Sequence, residues 1–588
     1  MTGLGVTEKP NPKTGDSHAS ARFILRPDIT FQNIEKLIEQ KSDYSSYSSA
    51  LEELTRLTLM LSKRRLEGRT TQVAHLEKYR AWVDEQLQSI SLTLNSDFVH
   101  LDTTELFSII NSKVEALSST SALYAAKALY KISTNIDRIF SGEIGALDLL
   151  HEDDLLNGVE VILTDTQLSG FLSSLSHSKP NLRVLELGAG TGSSTARYLS
   201  ELRSSFSKYH ATDGSTHAVE ALKERFKDTA NTEFAVFDIS RSREEQAFED
   251  GQYDLIIASN VFHQVENISE GLLLVQSLLK SDGYLLLQEL SPSAKWTTAV
   301  LGILPDWSRY AEFRGSFEPT LNSETWAQQL AACEFKIHGA DPAMEVSSQL
   351  NAILVAQSDV KVKYRKEAYL LVDESSDQLI MKDVEAKPQQ RGYDVSTITL
   401  GQKPADDRDI ISLLDVKKPF LEDISEEKYI KLQTLITTTN SRIFWPTKLS
   451  QIHVTDPRYG QIVGFARTIR NELGIDFAVC QTDLDFYDDT ILDVFENFAS
   501  RQAGDTFAPE AEFVVTDGHV YTGRYYPDSI PERLISSDAD GPAVLTVEKG
   551  SRLRGLHWRR QKCSSPKGDE VQIEVHYMGL NRRVCNVV

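Results

Sequence analysis

Arg183-Val-Leu-Glu-Leu-Gly-Ala-Gly-Thr-Gly192 is the stretch that decides the fold. Its first half is a short apolar run that reads as a buried strand, and its second half places glycine at 188, 190 and 192. Glycines at alternate positions let the backbone turn sharply and approach a ligand with no Cβ in the way. A helical stretch through Tyr198, Leu199, Leu202 and Phe206 follows, so the free N–H groups of a helix N-terminus stand behind the turn, ready for a polar or anionic group. A dinucleotide fingerprint would need glycine at 193, and that position is Ser193. The spacing is instead GxGxG, led by the acid Glu186.

Outward from this turn, apolar runs alternate with amphipathic helices. Strands are read at Tyr209–Thr212, Phe234–Phe237, Leu255–Ala258, Tyr284–Leu287 and Ala352–Ala356, with helices through Val219, Leu222 and Phe226, over Gly271–Lys280 and around Trp326–Ala332. That alternation predicts an α/β unit with a parallel sheet covered on both faces. Upstream, from about Asp28 to Phe140, the period is helical: Phe31, Ile34, Leu37 and Ile38, then Leu51, Leu54, Leu57 and Leu61, then Val73, Leu76, Tyr79, Trp82 and Val83, then Leu123, Ala126, Leu129 and Ile132. These stripes read as packing faces of a helical subdomain, not as a catalytic site. Downstream, strands at Tyr369–Val372, Arg442–Trp445 and Phe477–Gln481 and a helix at Gly460–Leu473 predict a second α/β region. The end is β-like, with a strand at Val571–Val575. The expected division is a disordered tail at 1–20, a helical lid at 21–165, a catalytic core at 166–358, a second α/β domain at 359–540 and a short β-rich tail at 541–588.

At 588 residues the length implies about four domains. Lys and Arg number 62 against 85 Asp and Glu, a net charge of −23, which repels nucleic-acid backbones and anionic lipid surfaces. Four unpaired-looking cysteines, Cys333, Cys480, Cys563 and Cys585, offer neither a disulfide framework nor a zinc site, so no metal is read. No apolar run is long enough to span a bilayer. The ending Cys585-Asn-Val-Val588 lacks the aliphatic residue and basic run of a prenylation box. The expectation is a soluble, cytoplasmic chain.

Two acids extend the glycine turn: Asp213 closes the next strand, where a carboxylate can accept both hydroxyls of a ribose, and Asp238-Ile239 closes the one after. With Glu186, Gly188, Gly190 and Gly192 in that order, the pattern resembles motif I and its partners in class I S-adenosylmethionine (SAM) methyltransferases. The resemblance implies that the leading acid and glycines face the methionine half of the cofactor, and that Asp238 and Ile239 contact the adenine. Past the fourth strand comes Ser259-Asn260-Val-Phe-His263-Gln264, and past the fifth Gln288-Glu289. Both lie where open α/β sheets bind ligands, and a histidine is a proton acceptor whose tautomer a carboxylate can fix.

Leu185-Glu-Leu-Gly-Ala-Gly-Thr-Gly192, Ser259-Asn-Val-Phe-His263, the strand ending in Glu289, and Leu301-Gly-Ile-Leu-Pro305-Asp-Trp307 together resemble the C-methyltransferase domain of fungal highly reducing polyketide synthases. That family's His–Glu dyad maps onto His263 and Glu289, with Asn260 beside the cofactor. Asp456-Pro-Arg-Tyr-Gly460 and Gly464-Phe-Ala-Arg-Thr-Ile-Arg-Asn-Glu-Leu-Gly474 resemble the structural pseudo-ketoreductase region of the same synthases, and the tail, including Gly579-Leu-Asn581, resembles the start of an enoylreductase. Asp373-Glu-Ser-Ser follows the strand at Tyr369–Val372 where a phosphate loop would need glycines, so NADPH binding is not expected there. The chain departs from the family at Asp306-Trp307-Ser308, where Gly-Trp-Trp is usual, and at Asn581-Arg-Arg-Val, where Asn-Phe-Arg-Asp is usual.

The reading is a class I, Rossmann-like SAM methyltransferase with a helical N-terminal lid, a non-catalytic α/β domain and a short β-rich tail. The resemblance implies C-methylation of a β-ketoacyl chain carried by an acyl carrier protein of a polyketide synthase. The initiator methionine and polar N-terminus favour a standalone enzyme acting in trans over an excised piece. The alternative is an O- or N-methyltransferase of a released small molecule.

Overall fold

The computed structural model describes residues 19–38, 44–91, 101–164, 168–203, 205–241, 245–246, 248–311, 314, 316–340, 350–358, 366–373, 378–404, 408–485, 488–500, 510–529, 543–547, 556–560 and 568. The described residues within 25–523 form a large compact unit, and those within 8–24 and 524–588 a small one.

After strand β1 (Ala19–Pro27) come helices α1 (Tyr44–Leu66), α2 (Ala74–Ser91), α3 (Thr103–Ala116), α4 (Leu123–Phe140), α5 (Ala146–His151) and α6 (Leu155–Thr164). The apolar stripes of α1, α2 and α4 face one another, and Leu51, Leu54, Leu61, Ala126 and Leu129 are buried in a shared core. A reciprocal capping box between Asp102 and Glu105 starts α3.

Helix α7 (Ser169–Ser178) leads into a seven-stranded sheet. Its strands are β2 (Leu182–Leu187), β3 (Phe206–Asp213), β4 (Thr232–Val236), β5 (Tyr253–Ser259), β6 (Leu279–Leu290), β7 (Phe335–Ala340) and β8 (Asn351–Ser358), in the order β4-β3-β2-β5-β6-β8-β7. The connecting helices are α8 (Ser193–Leu202), α9 (Thr216–Arg225), α10 (Ile268–Leu278), α11 (Lys295–Leu301), α12 (Pro305–Ala311) and α13 (Ser323–Ala332). Strand β5 is buried along its whole length because the sheet is covered on both faces.

Strands β2 to β6 are parallel, as the sequence predicts, but β8 runs antiparallel to both β6 and β7. Alternation of strand and helix does not report strand direction at a sheet edge, and β7 escaped the sequence reading because its run is interrupted by Lys336, His338 and Gly339. The first predicted helical stripe also resolves differently. Ile29–Phe31 and Ile34–Leu37 are single 3₁₀ turns, and Ile29, Ile34 and Ile38 pack with Leu168, Phe171 and Leu182 against the sheet, not with the helical bundle.

The second sheet joins β1 to β9 (Glu367–Val372), β10 (Asp394–Thr399), β11 (Asp409–Ser412), β12 (Ile443–Lys448), β13 (Phe477–Thr482), β14 (Glu512–Thr516) and β15 (His519–Ser529), in the order β1-β15-β14-β13-β12-β11-β9-β10. Helices α14 (Gln378–Gln390), α15 (Glu426–Thr438), α16 (Gln461–Leu473) and α17 (Asp489–Ala499) connect them. Asp373, at the end of β9, accepts from Lys428 Nζ at 2.6 Å. Buried His177 of α7 bonds through Nε2 to the Thr522 carbonyl at 2.8 Å, and the Thr522 hydroxyl donates to Asp28 at 3.2 Å. In the small unit, β16 (Ala543–Val547) and β17 (Leu556–Arg560) form an antiparallel pair. The expected strand at 571–575 and the C-terminal cysteine lie outside the described residues. No helix among the described residues is long and apolar enough to cross a membrane.

The segment 33–37 lies close enough on the sheet's flank to demand glycine beneath it. A Cβ on Gly170 would stand 2.8 Å from the Leu37 carbonyl oxygen, and one on Gly339 would stand 3.1 Å from the Glu35 nitrogen. Gly170→Val is expected to cost about 1–3 kcal/mol by overpacking. Gly464→Ala, on α16 where a Cβ meets nothing within 4 Å, should instead stabilise by up to about 1 kcal/mol. Thermal melts of the two variants check both signs; an unchanged midpoint for Gly170→Val contradicts the close approach.

Candidate functional site

The carboxyl ends of β2, β3, β5 and β6 converge. Beyond Leu187 the chain turns through Gly188, Gly190 and Gly192, all at positive φ. A Cβ at Gly188 would come within 2.5 Å of Val261 Cγ2, so glycine lets this turn meet the segment after β5. Around Gly190 a Cβ would meet nothing within 4 Å, which leaves the backbone there open to a ligand.

Glu186 sits beneath the turn, 1% exposed. Its Oε2 accepts from the Thr195 hydroxyl at 2.7 Å and the Tyr209 phenol at 2.8 Å, while Oε1 is buried with no partner. Burial pushes its carboxyl up to about 7, against the two hydroxyl bonds, which pull it down. The same residue therefore ties β2 to α8 and β3. Asp213, at the tip of β3, accepts from the Gly190 amide at 3.0 Å and the Ser215 amide at 2.8 Å. Asp238 accepts from the Ser240 amide and hydroxyl and pairs with Arg241 at 3.2 Å. Ile239 packs toward Gly271 of α10. Asn260 follows β5 in the left-handed region, at φ 55, with Oδ1 buried and unpartnered.

His263 lies on a 3₁₀ turn, Phe262–Gln264, and Glu289 lies near the end of β6. Pairing of β5 with β6 brings the two together from distant points in the chain. The Glu289 carboxylate is 2% exposed; one oxygen accepts the amides of Val261 at 2.7 Å and Phe262 at 2.6 Å, and the other meets His263 Nδ1 at 3.2 Å. A carboxylate only accepts, so this contact makes Nδ1 the donor and leaves Nε2 with its lone pair, where the Gln264 amide donates at 3.2 Å. The His263 side chain is 13% exposed, and the Trp307 ring stands 6.0 Å from it.

The helical bundle reaches this place from the other side. Tyr79 donates to the Ala299 carbonyl at 2.8 Å, Trp82 to Glu318 at 3.0 Å, and Trp296 to the Tyr44 hydroxyl at 3.2 Å. The segment carrying Trp307 is thus pinned by α1 and α2. The structure brings His263 and Glu289 together, as the sequence predicts, and beside them stands Arg314, absent from the sequence reading, whose guanidinium donates to the carbonyls of Phe262 and Val265. No spacing or motif marks that arginine in the sequence.

Residues 185–285 match the methyltransferase domain family. A highly reducing polyketide synthase of a Fusarium species is 33% identical over 590 residues, covering 96% of this chain and 23% of that protein. One from Aspergillus fumigatus is 33% identical, covering 97% of this chain and 23% of its own length, and one from Glarea lozoyensis is 30% identical, covering 98% and 23%. The chain thus spans under a quarter of the length of these relatives. Among solved structures, the trans-methyltransferase CalH in complex with SAH is 27% identical with a TM-score of 0.51, over 55% of this chain and 94% of that one.

The raised Glu186 carboxyl gives a test of the site's electrostatics. The folded protein holds this proton up to about pH 7, whereas an ordinary glutamate releases it near 4.5. Ionisation therefore destabilises the fold progressively as pH rises from about 4.5 to about 7. Glu186→Gln lacks that penalty, so its stability relative to the parent should improve by up to about 3 kcal/mol between pH 4.5 and pH 8. Urea titrations of both proteins across this range check it, and a pH-independent difference contradicts it.

Proposed function

We propose that this chain, whose central domain is a SAM-dependent methyltransferase, methylates the α-carbon of a β-ketoacyl polyketide intermediate held on an acyl carrier protein, in trans with a polyketide synthase. The observation that carries the reading is the His263–Glu289 pair, a general base whose tautomer the carboxylate fixes and whose other ring nitrogen keeps its lone pair, met by the Gln264 side-chain amide. Two further supports come from outside the chain: relatives over nearly its full length are polyketide synthases, and a solved protein it resembles is named as a trans-methyltransferase.

The residues present fit S-adenosylmethionine. The open space at Gly190, the Asp213 carboxylate at the tip of β3, and the buried, unpartnered oxygens of Glu186 and Asn260 offer the acceptors and the clearance that its amino, ribose and sulfonium groups need. Gly188, Gly192, Asp238 and Ile239 complete the proposed cofactor site. When bound, this cofactor supplies an electrophilic methyl group.

The chain's own part is proton removal. His263 Nε2 takes the proton from the carbon between two carbonyls, whose electron withdrawal makes that C–H acidic. As the ring becomes cationic, Glu289 stabilises it through Nδ1–H, and the two backbone amides on the other Glu289 oxygen keep the carboxylate from rotating away. Trp307 beside the ring, held by the helical bundle, keeps water off the resulting carbanion.

His263→Ala should lower the turnover number for a carrier-bound β-ketothioester by about 10²–10⁴, and Glu289→Gln should lower it too, with SAH binding retained in both. Mass spectrometry of the carrier-bound chain reads the outcome. Addition of one methyl at carbon supports the reading, while parental rates in His263→Ala, or methylation only at oxygen or nitrogen of a released molecule, overturn it in favour of an O- or N-methyltransferase.

A further inference from the structure

The backbone around His263 is held on two sides. On the amino side, the amides of Val261 and Phe262 point to Glu289 Oε1. On the carbonyl side, Arg314 Nη2 donates to Phe262 O at 2.8 Å and Val265 O at 2.9 Å, and Nη1 donates to Pro319 O. Within the turn, the Gln264 amide closes on Val261 O and the Val265 amide on Phe262 O. Every described hydrogen bond of Arg314 is thus to a backbone carbonyl, two of the three in the turn that presents the imidazole. No carboxylate among the described residues lies within ion-pair distance of it. A half-buried guanidinium without an ion-pair partner is costly to hold, and burial pulls its basicity down while the Glu289 charge opposes that pull.

A guanidinium has a rigid planar fork, so it fixes two carbonyls at a set separation, which a lysine ammonium on a flexible stem does not. The bonds run to main-chain atoms on either side of His263, so their geometry sets the direction in which the Cα–Cβ bond projects. Glu289 can then correct the ring only by rotation about the side-chain bonds.

We infer that Arg314 is a positioning residue for the base: it sets the 3₁₀ turn Phe262–Gln264 so that His263 Nε2 meets the substrate's α-carbon, and it acts through His263 alone. The inference rests on the proposed role of His263.

The test is a double-mutant cycle on the carrier-bound β-ketothioester, with the turnover number, KM, the SAH dissociation constant and the exchange of the α-hydrogen for deuterium in D₂O read separately. Arg314→Met is expected to lower turnover and deuterium exchange by the same factor, about 10–100-fold, with KM and SAH binding unchanged. Arg314→Lys, which keeps the charge but not the fork, should recover only part of the loss. In the His263→Ala background, Arg314→Met should add nothing further. If it lowers the residual rate by its full factor there, or raises KM or the SAH dissociation constant without changing turnover, Arg314 does not act through the base and the inference fails. Should Arg314→Met prove unstable, Arg314→Lys in the same cycle carries the comparison. A parental rate in His263→Ala would instead overturn the role of His263 itself, so the two failures are distinct.

Discussion

One carboxylate organises the site. Glu289 is anchored in the middle of the sheet by β5 on one side and β8 on the other, and its two oxygens are divided between a backbone turn and an imidazole. Removing that carboxylate would leave the buried Phe262 amide and the half-buried Val261 amide unpaired as well as an imidazole unoriented, and an unmet buried polar group costs on the order of 1–3 kcal/mol. The residue therefore couples fold and chemistry. The strand must be in register for the carboxylate to reach the turn, and the turn must close for the histidine to sit over the sheet's carboxyl edge.

The glycine turn obeys the same logic with the opposite sign. It has no room for a side chain at Gly188, where a Cβ would meet Val261, and it folds over Glu186, one of whose oxygens accepts from a helix hydroxyl and a strand phenol at once. That carboxylate is strained electrostatically where Glu289 is satisfied. Its second oxygen is buried without a donor, so burial raises its affinity for a proton.

Much of this was legible in the sequence because the chemistry is local in it. The glycines, Asp213, Asp238 and Asn260 all stand at strand ends that the change from helical to strand periodicity marks, and His263 follows β5 while Glu289 lies near the end of its neighbour β6. What was not legible depends on direction and distance. The antiparallel setting of β8, the entry of β1 into the second sheet, and the packing of Ile29, Ile34 and Ile38 on the catalytic sheet are tertiary choices that spacing does not encode. Arg314 is the sharpest case. An arginine between Phe313 and Gly315 completes no motif, and its three bonds go to main-chain carbonyls that every residue possesses.

Packing between distant parts of the chain also decides where the central unit begins. Leu290, Trp296, Val300, Ile303 and Trp307 belong to the core formed by α1, α2 and α4, with Leu51, Tyr79, Trp82 and Leu129 among its members. A boundary drawn at residue 165 would cut through that core and expose the apolar face of the segment that shields His263. Burial of each such large side chain contributes about 1.5–3 kcal/mol, so the cover is held more firmly than a hinged flap that only visits the site. The helical region is consequently part of the wall beside His263. The Asp306-Trp307-Ser308 sequence on α12 lies on that wall, with the Trp307 ring 6.0 Å from the His263 ring.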